Sequence, residues 1–254
     1  MNKIGETLLI GKFSYGRPVL SVIREHFAKR LKLKGTVSVG LVDPRHVSLA
    51  FSNPEDCINT LVKGQILLDG KCPMRLFRWT MDFDTRFETS LAPVWVLLPN
   101  LKANCFSEPC LKQIVKPIGR FLQVDTPTAK FTRPSVARVK VEIDLLKPPC
   151  RKMFIRLGTA RPDREAVGFW QVIEYERIPP YCLNCRKQGH LANSCRVPGG
   201  GASAPRSSAP HVSTSMADAG PLPSGGVGQD WGSAIVLDHR DMTASQRKKQ
   251  SNNK

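Results

Sequence analysis

Cys182, Cys185, His190 and Cys195 stand in the pattern C-x-x-C-x-x-x-x-H-x-x-x-x-C. Three thiolates and one imidazole suit a tetrahedral zinc ion, and four protein ligands leave no position open to water or substrate. The chemistry expected is therefore structural, with one Zn2+ per chain and no Lewis-acid role. Gly189 precedes His190, and glycine permits the positive φ that a turn around a metal often needs. The run is too short to enclose a hydrophobic core. Metal binding must supply its folding energy, about 10–16 kcal/mol in comparable zinc-finger peptides. Small zinc knuckles are a recurring module for single-stranded nucleic acid.

Other chemistries find little support. Gly5-Glu6-Thr7-Leu8-Leu9-Ile10-Gly11-Lys12 imitates a phosphate-binding loop but has one residue too many before Gly11. It also places Phe13 where a magnesium-binding Ser or Thr belongs. Asp125-Thr126-Pro127 lacks the glycine of an aspartic-protease loop, and no run of carboxylates suggests a nuclease metal site. No catalysis and no small-molecule substrate are expected. Five cysteines remain outside the knuckle, Cys57, Cys72, Cys105, Cys110 and Cys150. An odd remainder with no secretory signal reads as reduced thiols in nucleus or cytoplasm. Cys105 and Cys110 read as buried core thiols, since no histidine or further cysteine pair lies near them in sequence.

The charge points to a polyanion. The chain carries 38 Lys+Arg against 21 Asp+Glu, a net +17, with only +2 of it in residues 197–254. The excess thus lies on the part expected to fold, which implies nucleic acid or an anionic membrane surface. No basic amphipathic helix and no long apolar run stand out, so no membrane association is expected.

The elements that position these residues fall into four stretches. Residues 6–84 read as β-α-β-β-α-β. Thr7–Phe13 is a strand, and Pro18 opens a helix with Val19, Val22, Ile23, Phe27 and Leu31 on its apolar face. Gly35 is expected to stop that helix. Thr36–Val42 and His46–Phe51 form a hairpin, Asn53 caps a second helix ending at Gly64, and Ile66–Leu68 and Pro73–Trp79 are strands. This is the order of a ferredoxin-like sandwich, the topology of RNA-recognition domains. Residues 93–177 read as a second, smaller α+β unit that partly repeats this order. Its strands are Val94–Leu98, Phe121–Val124, Val136–Leu145, Met153–Leu157 and Gly168–Glu176, with a helix over Leu111–Ile118 broken at Pro117. In the long strand, Ala137, Val139, Val141 and Ile143 alternate with Arg138, Lys140 and Glu142. One face is buried and the other basic. Arg133, Arg138 and Lys140, with Arg186, Lys187 and Arg196 of the knuckle at 181–196, are the candidate nucleic-acid contacts. Residues 197–254, rich in Gly, Pro, Ser and Ala, read as a disordered tail. It holds an apolar island of Trp231, Ile235, Val236 and Leu237 and a terminal Arg247-Lys248-Lys249 patch.

From Gly16 to Cys195, roughly seven-tenths of the chain, the sequence resembles a plant family that joins a domain of unknown function to a CCHC zinc knuckle. That family is similar to the first open reading frame product of LINE-type retrotransposons. The resemblance is carried by Phe51 with Glu55-Asp56, Arg78-Trp79-Thr80 with Asp82-Phe83-Asp84, and Pro93-Val94-Trp95-Val96. It continues through Ala137-Arg138-Val139, Val141-Glu142-Ile143-Asp144 and Tyr175-Glu176-Arg177-Ile178-Pro179 to Tyr181-Cys182. It implies zinc and nucleic-acid binding without catalysis. The knuckle is also similar to retroviral nucleocapsid knuckles, except that Leu183 replaces the usual aromatic and Arg186 a common glycine. Leu183 offers no π-face for a base. The first unit's strand Arg45–Phe51 lacks the paired aromatics of RNA-recognition domains, which suits a scaffold or protein-contact role.

The expected function is zinc-dependent, non-catalytic binding of single-stranded RNA or DNA, with self-association left open. The alternative is a zinc-knuckle adaptor that binds protein and not nucleic acid.

Overall fold

The computed structural model describes residues 3–157, 168–197 and, for its backbone, 235–237. The elements run β1 (Leu8–Phe13), α1 (Leu20–Arg30), β2 (Val37–Leu41), β3 (His46–Phe51), α2 (Pro54–Leu61), β4 (Gln65–Leu68) and β5 (Cys72–Arg78). There follow β6 (Leu91–Pro99), α3 (Glu108–Val115), β7 (Arg120–Val124), the single turn α4 (Thr126–Ala129), β8 (Val136–Asp144), β9 (Lys152–Leu157), β10 (Gly168–Val172) and β11 (Glu174–Glu176). The short β12 (Tyr181–Cys182) and β13 (Lys187–Gln188) belong to the knuckle, and β14 is Ile235–Leu237. The chain is α+β, and the pairings within β1–β13 are antiparallel.

In the first sheet the order is β2-β3-β1-β5-β4. β1 is central because Leu9 and Phe13 have almost no exposed surface and pack with Ile23 and Phe27 of α1 and Leu61 of α2. α2 starts where sequence and physics agree. The Asn53 side chain accepts the Glu55 amide at 2.8 Å, Pro54 needs no amide partner, and Glu55 and Asp56 suit the helix dipole. α1 differs from expectation. It begins after Val19, without a side-chain cap, and ends at Arg30 with Leu31 already extended. Gly35 does not stop it. Gly35 is small because a Cβ there would strike the Ser52 hydroxyl, and its amide donates to Asp56 Oδ2 at 2.8 Å.

The second sheet has the order β11-β6-β8-β7. With β4 set aside, both sheets place their fourth, first, third and second strands in that spatial order. The likeness is partial, since α3 is followed by no second long helix and the β9–β10 pair stands in its place. α3 ends at Val115, because Pro117 has no N–H with which to continue the ladder. Val94, Val96, Val139 and Val141 pack inward with Leu111 and Ile114 of α3. Exposure alternates from Phe169 to Tyr175, so β10 and β11 turn the same set of residues outward although they pair with different neighbours. Cys105 and Cys110 are buried, as expected of core thiols.

The two units meet over the outer face of the second sheet. Arg78 Nε donates to Glu142 at 2.8 and 3.0 Å, both side chains are almost fully buried, and Leu122 of β7 joins the first unit's core. Arg78 and Glu142 form a closed ion pair, each occupying the other's charge.

The expectation of disorder over residues 197–254 falls mostly outside the described residues, as do Trp231 and the Arg247–Lys249 patch. Ile235–Leu237 is an exception. Three of the four residues of the apolar island form β14, which pairs in parallel with β9 as Ile235↔Ile155, Val236↔Arg156 and Leu237↔Leu157. Among the described residues no helix is long and apolar enough to cross a membrane.

Candidate metal centre

The knuckle is a two-residue hairpin closed by a turn. β12 and β13 pair as Tyr181↔Gln188 and Cys182↔Lys187, and the Arg186 amide returns to the Cys182 carbonyl at 2.8 Å. Two backbone positions are left-handed, Arg186 (φ 52°) and Gly189 (φ 105°). Gly189 meets the sequence expectation. Arg186 shows why glycine is common there, since a side chain at positive φ costs roughly 1–2 kcal/mol.

These turns gather Cys182, Cys185, His190 and Cys195, whose ligand atoms all lie within 4.8 Å of one another. Cys185 Sγ and His190 Nε2 are 3.3 Å apart, so Nε2 is the imidazole atom facing the cluster. The two cysteines of the first pair are buried and the other two ligands half-buried. Three sulfurs and one nitrogen at these separations fit the edges of a small tetrahedron, and this set could hold one metal ion with no protein position left over. Among the described residues it is the one such grouping of three or more ligand-type side chains.

The knuckle does not hang free, and Glu88 is the reason. Its carboxylate has 4% of its surface exposed and accepts from Lys12 Nζ at 2.7 Å, Arg75 Nη1 at 3.1 Å and the Gln188 amide at 2.8 Å. Its own amide donates to the Arg186 carbonyl at 2.8 Å, and the Tyr181 hydroxyl donates to its carbonyl at 3.0 Å. The Gln188 side chain adds bonds to the Thr89 and Leu91 carbonyls. One buried carboxylate thus ties β1, β5 and β13 together. Nothing in the residues around Glu88 signals this, because its partners lie 76, 13 and 100 positions away.

The candidate nucleic-acid residues are brought together in two groups. Arg138 and Lys140 project from β8 over the indole of Trp95, at 4.0 and 4.9 Å from its ring centroid. Arg138 also forms a two-point pair with Glu176 at 2.6 and 3.0 Å, and Asp125 takes Arg133 at 3.1 Å. Much of that face is therefore internally balanced. Lys140 keeps no carboxylate partner among the described ion pairs. Burial, then the nearby Arg138 charge, pushes its pKa down, opposed by Glu176. In the knuckle, the Arg186 guanidinium lies 5.0 Å from the centre of Phe87, and Arg196 is exposed. Lys187 lines a groove of about 280 Å³ with Lys12, Arg45, Arg86 and His46. Sequence reasoning missed Arg45 and Arg86, which only the docking of the knuckle sets beside Lys187.

Leu183 is exposed and borders a wider cavity of about 560 Å³ that also reaches Phe83, Phe87 and Tyr181. Phe83 and Phe87, from outside the knuckle, thus stand beside Leu183 together with Tyr181 of β12.

No curated protein matches this chain. Among solved structures, the RNA binding domain of Hrp1 in complex with RNA aligns at 18% identity over 55% of this chain and 81% of that one, with a TM-score of 0.26. Residues 6–86 match the model of a family described as a domain of unknown function (DUF4283), and a domain of that family is therefore found in the first unit.

Proposed function

We propose that this protein is a zinc-dependent, non-catalytic binder of single-stranded nucleic acid. The observation that carries the reading is the closed Cys182–Cys185–His190–Cys195 cluster, docked by Glu88 so that Lys187 joins Arg45 and Arg86 at one groove. Zinc is the metal that suits three thiolates and one imidazole with no open position. It would be held by those four residues and would fix the hairpin, leaving the surrounding cations to meet phosphate. The net +17 charge supplies the long-range attraction.

The fold supports the same reading. With β4 set aside, the strand order of both sheets is that of a ferredoxin-like sandwich, an architecture widely used for RNA. Arg138 and Lys140 add a second basic site on the sheet face, and Arg133, Arg186 and Arg196 flank the two groups. A compact unit followed by a CCHC knuckle is also the arrangement of retrotransposon first-frame proteins, and we read this chain as nucleocapsid-like, acting in nucleus or cytoplasm.

The test is direct binding of the zinc-loaded chain to single-stranded RNA, single-stranded DNA and an acidic control protein, repeated with His190→Ala. Binding to RNA or DNA that weakens in the variant supports the proposal. Binding to the acidic protein alone would make the chain an adaptor instead.

A further inference from the structure

Among the described residues, the outer face of the second sheet, opposite α3, is covered at one end only. The first unit closes it at Glu142 and Leu122. Beside the other end, the separate sheet of β9 and β10, which runs on into β11, presents Lys152, Phe154, Arg156, Trp170 and Val172 outward. Trp170 is 62% exposed, although large aromatics dominate the energy gained by burial.

The ring is not loosely placed. Phe154 lies directly across the ladder from it and meets it edge-on, with centroids 5.4 Å apart and planes at 68°. Lys152 Nζ lies 5.0 Å from the Trp170 ring centre. Gly168 keeps room for Phe154, since a Cβ there would fall 2.5 Å from its ring. Arg156 Nε is buried and has no hydrogen-bond partner among the described residues. Neither β9 nor β10 carries a carboxylate. Trp95, on the same face, lies beneath the Arg138 guanidinium, so among the described residues Trp170 is the indole this face presents to solvent.

We infer that Trp170 and Phe154 form a base-stacking platform for an unpaired strand, with Lys152 and Arg156 meeting its phosphates. The inference rests on the nucleic-acid reading above and adds a site to it. A flat ring held by two strands loses little freedom on binding, every base has a π-face to stack on it, and the flanking cations suit a polyanion. It also supplies, on the second unit, the stacking surface that Leu183 cannot.

The experiment uses the full zinc-loaded chain and a 15-nucleotide oligouridine, with Trp170→Ala, Trp170→Phe and Lys152→Ala/Arg156→Ala. Affinity is read by anisotropy at several salt concentrations, and stacking by quenching of tryptophan fluorescence. Trp170→Ala should weaken binding roughly 5- to 150-fold, the equivalent of about 1–3 kcal/mol for one stacked base. It should leave the salt slope unchanged. Trp170→Phe should keep most of the affinity but lose the quenching, and because it keeps an aromatic ring at the site it guards against misfolding. The double cation variant should flatten the salt slope by about 1.4, from two lost phosphate contacts on a single strand. Wild-type protein that binds no nucleic acid overturns the functional reading and this site with it. Wild-type binding with Trp170→Ala unchanged in affinity and quenching overturns the platform alone. Loss of an acidic protein partner in Trp170→Ala, with RNA binding intact, would likewise overturn it and assign the face to protein.

Discussion

Substituting Glu88 by Gln keeps the shape of the side chain and its acceptor for the Gln188 amide, but removes the charge that Lys12 and Arg75 share. Breaking a buried ion pair from one side costs about 3–5 kcal/mol, because the other charge is left without compensation. Lys12 and Arg75 retain 17% and 34% side-chain exposure and can turn partly to water. The lower end, about 3 kcal/mol, is therefore expected. At about 2–4 °C per kcal/mol for a chain of this size, the zinc-loaded protein should melt ~6–12 °C lower. Because a neutral amide is a weaker acceptor for the Gln188 N–H than the carboxylate, whose bond is charge-assisted, trypsin should also cut at Arg186 and Lys187 faster than in the wild type. A melting point lowered by less than about 2 °C, under 1 kcal/mol on that scale, together with an unchanged cleavage rate, would refute the claim that Glu88 is the latch.

Cys182→Ser and His190→Ala should each lose the single zinc and unfold residues 181–196 while the two sheets persist, as checked by metal analysis and circular dichroism. Glu142→Ala should cost about 3–5 kcal/mol by stranding Arg78, whereas Arg78→Met with Glu142→Leu should recover most of that loss in denaturant titrations. Nucleic-acid affinity should fall roughly a thousandfold or more between 50 and 200 mM salt if about 6–10 phosphates are engaged, and salt-independent affinity would refute the phosphate reading. Truncation after residue 234 should speed amide exchange in Lys152–Leu157 with little effect on RNA affinity, and unchanged exchange would show that β14 does not protect that strand.

What sequence made visible was whatever depends on neighbours in the chain. The His46–Phe51 strand, the Asn53 cap and the clustering of Cys182, Cys185, His190 and Cys195 all follow from local spacing, and each lies where the pattern puts it. The Gly35 expectation failed because a glycine can serve close approach as well as a helix stop, and only the position of Ser52 decides between them. Alternation along Ala137–Ile143 told which side chains share a face, but not that Glu176 and Asp125 would come to meet Arg138 and Arg133. Trp170 was invisible as a site for the same reason. Alternation over 168–176 is equally compatible with either face being buried until α3 has chosen one. Ile235–Leu237 could be noticed as apolar, but its partner strand lies about 80 residues earlier in the chain.

The return of the chain to β9 has a mechanical meaning. The knuckle sits between two anchorages in the second unit, β11 before it and β14 after it, while its body is fastened to the first. A pull on residues beyond Leu237, from any load attached there, is borne first by the β14–β9 pairing. The Cys182–Cys185–His190–Cys195 cluster feels none of it until that strand lets go. β14 is thus a strain relief for the candidate metal centre.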